Sequence, residues 1–255
     1  MGRAEEAYQR AYEIWAREHG VPLLSKPKVP LTLRDHEVLV LYPDFVAWNE
    51  ICIELKALPR TLGPSEELQL FDYLRARENR LGLLVNMGLD RVHFERRIFD
   101  RPQSVMNEDW SSWEGSIRGS DRDIGVKLRA SLQLVYDLHR TGYSLAVTEK
   151  LVLAALRTTP LQVAVRPVAS AMFRQQVVHE SALDCFVIEN RIVMTLTSQF
   201  ASNEVSKSLG YSYMRTLGLP WCVAVNFGVA NLEVTALSNR RVVGCSSVPR
   251  LRHPC

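Results

Sequence analysis

Asp44 follows Pro43, and ten residues after the aspartate comes Glu54, with Leu55 and Lys56 behind it. Apolar and polar residues alternate here with period two, which puts Glu54 and Lys56 on one face of a strand, and a short hairpin would bring Asp44 beside them. Two carboxylates and an ammonium then share one small site. Like charges at close range resist joint ionisation unless a cation sits between them, so the arrangement suits a divalent metal. Oxygen ligands favour Mg²⁺ or Mn²⁺ over softer ions. Two helical pairs add polar groups, Glu5 with Tyr8 at i, i+3 and Gln69 with Tyr73 at i, i+4. Either pair alone reads as well as a packed tyrosine beside a solvated side chain, and an isolated D-x₁₀-E-x-K is weak. Their joint occurrence, in one order and on compatible elements, is what points to a site.

The elements that must position these residues occur twice. The segment Gly82 to Gly88 (GLLVNMG) has a near twin in Cys222 to Gly228 (CVAVNFG), displaced by 140. The same displacement pairs Gly2 with Gly142, Asp44 with Asp184 and Tyr73 with Tyr213. Self-similarity at one gapless offset implies two copies of an α/β unit. In the first copy Ala4, Ala7, Ala11 and Trp15 recur at helical spacing up to Gly20, and β-rich runs follow at 28–33, 37–48 and 50–57. Ser65, after Gly63 and Pro64, is the expected N-cap of a helix with Leu68, Phe71 and Leu74 on its apolar face. Runs 81–87 and 91–99 close the unit. An extra helix at 126–140 precedes the second copy, which extends from Tyr143 to about Ser238. The expected division is therefore 1–99, a polar linker over 100–125 whose Trp110 and Trp113 pin it to a surface, 126–238, and a loose basic tail over 239–255.

Composition narrows the class. With 255 residues, 47% hydrophobic and 23% charged, the chain can bury a real core, which excludes disordered, collagenous and disulfide-stapled classes. Residues 1–140 carry 20 basic and 22 acidic side chains and the remainder 11 and 6, so the second half permits a polyanionic partner. Cys52, Cys185 and Cys222 lie in apolar runs and read as buried thiols, which fits a reducing, cytoplasmic setting. No apolar run approaches the length of a membrane span, and no membrane association is expected. The chain has no phosphate-binding GxxxxGK[ST] loop, no GxGxxG, no GxSxG and no HExxH, and its histidines show no ligand spacing.

At Gly2, Glu5 and Tyr8 (G-x-x-E-x-x-Y), Pro43 with Asp44, Glu54 with Lys56, and Gln69 with Tyr73 (Q-x-x-x-Y), the chain resembles the PD-(D/E)XK phosphodiesterase superfamily. Within it the RecB-like branch and the GxxExxY family are most similar. The resemblance covers about 2–99 strongly and 126–237 in outline. It implies two restriction-endonuclease-like cores, each a mixed sheet flanked by helices, packed as a pseudo-dimer within the chain, with the oligomeric state left open. It also implies a metal-dependent nuclease acting on DNA, with Glu5, Asp44 and Glu54 as ligands of Mg²⁺ or Mn²⁺, Lys56 orienting the attacking water, and Gln69 and Tyr73 as positioning groups. At the offset of 140, Glu5 becomes Leu145, Tyr8 becomes Thr148, Glu54 becomes Met194, Lys56 becomes Leu196 and Gln69 becomes Leu209. Only Asp184 survives among the acids, so the second copy is expected to be catalytically dead. The alternative is a non-catalytic nucleic-acid-binding or assembly module that keeps the fold.

Overall fold

The structure is a computed structural model and describes residues 5–100, 103–199 and 203–239. Gly2 and the predicted basic tail from residue 240 onward lie outside the described residues. The chain divides into two units, Met1–Pro102 and Gln103–Cys255. Both are mixed α/β, with sheets flanked by helices.

In the first unit the order is α1 (Glu5–Glu18), β1 (Leu23–Ser25), β2 (Val29–Leu33), β3 (His36–Leu41), β4 (Phe45–Ala47), β5 (Ile51–Lys56), α2 (Pro64–Arg77), β6 (Leu81–Asn86) and β7 (His93–Ile98). The main sheet runs β1-β4-β5-β6-β7, with only the β5–β6 pair parallel. That parallel pair needs a crossover, and α2 supplies it. Strands β2 and β3 form a separate antiparallel ribbon. The run expected as one strand over 37–48 is thus broken at Pro43 and Asp44 into two strands of different sheets.

Alternation along β4 and β5 sorts the core into two faces. Phe45, Ala47, Ile53 and Leu55 pack with Tyr12 of α1, whose ring stacks on Phe45 with centroids 5.2 Å apart. Val46, Cys52 and Leu84 pack with Leu70, Tyr73 and Leu74 of α2. Helix α2 starts two residues earlier than expected from Ser65. Gly63 is its N-cap, Pro64 takes the first position where a missing N–H costs nothing, and Glu66 Oε2 accepts from the Gly63 amide at 2.7 Å. The β4–β5 hairpin turns through Trp48 and Asn49, both left-handed at φ +50° and +59°. Asn49 is tied back by the Arg77 guanidinium at 2.9 Å and the Asn79 amide at 3.2 Å.

The second unit comprises β8 (Val105–Asp109), a one-turn 3-10 helix (Ser111–Trp113), α3 (Gly119–His139), α4 (Leu145–Arg157), β9 (Val163–Val165), β10 (Val168–Phe173), β11 (Gln176–Ala182), β12 (Phe186–Ile188), β13 (Ile192–Gln199), α5 (Asn203–Leu217), β14 (Trp221–Gly228) and β15 (Asn231–Ser238). Its sheet, β9-β12-β13-β14-β15-β8, has the first unit's order and pairing senses with β8 added in parallel on β15. The stretch 100–125, expected as a linker, therefore supplies an edge strand and the start of α3. Polar composition misled there, because an edge strand with one solvated face alternates polar residues as a loop does. Trp113 is buried as expected, and its indole N–H donates to the Leu237 carbonyl at 2.8 Å.

Close approaches set the distance between each crossover helix and its sheet. A Cβ on Gly82 would lie 2.9 Å from the Leu70 side chain, whereas one on Gly210 of α5 would lie 2.6 Å from Cys222 Sγ. A Cβ on Gly88 would meet the Leu58 backbone nitrogen at 2.4 Å. A leucine tip can turn away, but a backbone amide cannot. Gly88→Ala is therefore expected to cost about 1–3 kcal/mol or more and to exceed Gly82→Ala, as measured by urea unfolding.

Candidate metal and phosphodiester site

The hairpin register builds the site. Phe45 pairs with Ile53 across β4 and β5, so Asp44, one residue before the strand, falls beside Glu54. The Leu55 amide donates to Asp44 Oδ2 at 2.8 Å, which fixes this carboxylate between Glu54 and Lys56 along β5. Lys56 Nζ donates to Glu54 Oε1 at 2.6 Å. Asp44, Glu54 and Lys56 share the face that packs on α2, where Gln69 Nε2 donates to the Tyr73 hydroxyl at 2.7 Å.

Glu54 is 2% exposed, and its Oε2 is buried without a hydrogen-bond partner among the described residues. Burial pushes its carboxyl up to about 7, and the Asp44 charge adds to the rise against the lowering effect of Lys56. Glu5 adds a smaller upward push. Burial disfavours the Lys56 ammonium, but Glu54, Glu5 and Asp44 outweigh it and leave the group raised above its ordinary value. Burial also raises the Tyr73 phenol, with Glu54 adding to it, so the hydroxyl stays protonated and can both donate and accept. A carboxylate oxygen that is buried, unpaired and crowded by a second carboxylate fits a hard cation.

Helix α1 packs through Tyr12 over Phe45, Ile53 and Leu55, and the Glu5 charge at its start acts on both Glu54 and Lys56, raising each. Among the described residues no three His, Cys, Asp or Glu side chains are gathered as a ready-made metal cluster. The structure thus brings Asp44, Glu54 and Lys56 together with the Gln69–Tyr73 pair, and the Glu5 charge acts on two of them.

Asn86 went unnoticed as a site-building residue. It is fully buried, accepts from the Leu58 and Gly88 amides at 3.0 Å each, and donates to the Leu58 and Arg60 carbonyls at 3.1 and 2.8 Å. One side chain thereby ties the chain leaving β5, directly after Lys56, to the end of β6. An asparagine inside the apolar run LLVNM was the available signal, since a buried amide needs this many partners.

The second unit departs from the gapless offset. Phe186 pairs with Met194, which makes Met194 the counterpart of Ile53 and Leu196 that of Leu55. Thr195 and Thr197 occupy the positions of Glu54 and Lys56, and Cys185 that of Asp44. One extra residue precedes β13 and one fewer follows it: Ile192 pairs with Trp221 where Ile51 pairs with Leu81, so the overall offset returns to 140. A one-residue slip exchanges the faces of a strand, which a fixed offset cannot see. Thr195 Oγ1 donates to the Ser206 carbonyl at 2.9 Å and Thr197 Oγ1 to Asn226 Oδ1 at 3.1 Å. The Asp184 side chain is 77% exposed and pairs with Arg166.

The family model described as PD-(D/E)XK nuclease superfamily matches residues 1–98. The match covers the first unit and less than half of the chain. No curated protein and no solved structure matches the chain.

Because folding raises the Glu54 carboxyl from 4.5 to about 7, the folded state holds a proton that the unfolded chain releases across this interval. Stability is therefore expected to fall as pH rises from 4.5 through about 7, and Glu54→Gln, which cannot ionise, should flatten that part of the profile. Urea unfolding of both proteins between these limits measures it.

Proposed function

We propose that the first unit is a divalent-metal-dependent nuclease that hydrolyses DNA phosphodiester bonds. The observation that carries this reading is the buried, unpartnered Glu54 Oε2 beside Asp44 and Lys56, within a domain matched by the nuclease superfamily model. Glu5, Asp44 and Glu54 would hold Mg²⁺ or Mn²⁺. When bound, such an ion polarises a phosphoryl oxygen and lowers the pKa of the attacking water. Lys56 orients that water and offsets charge developing on the phosphate, and the Gln69–Tyr73 pair positions the phosphate backbone or the lysine.

The same reading takes the chain as tandem GxxExxY-type copies. The second is inactive, because threonine hydroxyls already satisfied by Ser206 and Asn226 replace the carboxylate and the ammonium. The rival is a non-catalytic nucleic-acid-binding or protein-assembly module that retains the nuclease fold.

Labelled single- and double-stranded DNA and RNA, incubated with Mg²⁺, Mn²⁺ or EDTA, separate the two. Cleavage of DNA with metal and none with EDTA is expected, and Asp44→Asn or Lys56→Ala should slow it by at least ~10²-fold. Mn²⁺ should also raise the melting temperature near neutral pH in the parent protein and not in Asp44→Asn. Salt-sensitive binding without cleavage under any metal would establish the rival.

A further inference from the structure

The second unit holds a cavity of about 360 Å³, within the range of small-ligand sites, which none of the first unit's chemistry uses. Its walls are Trp110 and Trp113 on one side and one face of α3 with its N-cap on the other, where Arg118, Arg122, Gly125, Val126 and Arg129 recur at helical spacing. The two indoles lie edge to face with centroids 5.3 Å apart. Their polar handles are engaged elsewhere: the Trp110 N–H donates to Glu108 at 3.1 Å and the Trp113 N–H to the Leu237 carbonyl. Trp113 is 4% exposed, its ring edge to face with Trp221 as well, so the partly exposed Trp110 supplies the ring surface that remains for the cavity. Gly125 permits this, since a Cβ there would lie 2.8 Å from the Trp113 ring.

The charges around the cavity divide into fixed and available ones. Glu108 accepts from Arg129 Nε at 2.8 and 2.9 Å and from Nη2 at 2.5 Å, so one carboxylate locks both Arg129 and Trp110. Arg118 donates only to the Ile117 carbonyl, and Arg122 makes no ion pair among the described residues. Both are exposed, with Glu114 as the single carboxylate among the lining residues. Rigid aromatic walls with unpaired guanidinium groups at the mouth select a flat ring that carries an anion.

We infer that this cavity binds a nucleobase together with its phosphate, the base against Trp110 and the phosphate on Arg118 and Arg122. The inference does not depend on nuclease activity, because the site lies wholly in the second unit and Asp44→Asn leaves its readout in place.

Thymidine monophosphate, a short oligothymidylate, an abasic strand of equal length and inorganic phosphate are titrated in EDTA against the full chain, followed by tryptophan fluorescence and by anisotropy of labelled strands. Saturable binding of thymidine monophosphate and oligothymidylate is expected, with Arg122→Ala weakening both about tenfold. Arg122 is exposed, so its replacement should leave the melting curve unchanged. Trp110→Phe should bind better than Trp110→Ala, since a phenyl ring still stacks. Binding of the oligothymidylate alone would assign the site to strands rather than free nucleotides, with the same dependence on Arg122. Equal affinity for the abasic strand, inorganic phosphate competing as well as the nucleotide, or affinity untouched by Arg122→Ala would each overturn the assignment.

Discussion

Burial of one carboxylate is the constraint around which the site of the first unit is built. Glu54 lies on a central strand between apolar neighbours, where an isolated charge would be expelled or neutralised. Lys56 satisfies one of its oxygens and raises the cost of removing either partner, but Asp44 adds a second negative charge on the same face. The other oxygen of Glu54 is left without a partner among the described residues. A fold that aimed only at stability would place an apolar residue here. Carboxylate, carboxylate and ammonium together constitute a strained charge set, which a divalent cation, as in the function proposed above, would relieve.

Holding that set together requires rigidity on both sides of β5. Upstream, the left-handed turn at Trp48 and Asn49 closes the hairpin tightly enough for Asp44 to receive the Leu55 amide. Downstream, Asn86 gathers the loop after Lys56, and Gly88 lets the backbone of Leu58 pass within a distance no side chain would tolerate. Across the sheet, Tyr12 on Phe45 docks α1, while Leu70 against Gly82 docks α2 and with it the Gln69–Tyr73 pair. The charged residues are few, and most of the structure around them serves to fix their separation.

Much of this was legible in the sequence, for reasons that also explain where legibility ended. Period-two alternation placed Glu54 and Lys56 on one face, and the Q-x-x-x-Y spacing placed Gln69 one turn from Tyr73. Both are local rules with a fixed period. Glu5 was harder, because its action on Glu54 and Lys56 depends on how α1 docks on the sheet, which Tyr12 and Phe45 decide only in three dimensions. The edge strand β8 was hidden by its polar alternation. The gapless offset of 140 named the wrong counterparts for Glu54 and Lys56, since an added and a lost residue cancel over the whole copy while reversing the faces of the strand between them.

That correction changes what the second unit says about the first. With Met194 and Leu196 at the site positions, the charged set would have been exchanged for greasy side chains. The register instead places hydroxyls there, Thr195 bonded to Ser206 and Thr197 to Asn226, each buried and each satisfied. Similarly, Leu70 against Gly82 has its counterpart in Gly210 against Cys222, so bulk has moved from helix to strand while the close approach is kept. The second unit thus retains the strand order and the helix-to-sheet spacing with no unpaired carboxylate at the Glu54 position. Since one arrangement is fully paired and the other is not, the sheet itself does not need the charge set. The unsatisfied Glu54 in the first unit is a feature that the fold carries rather than one that holds it up.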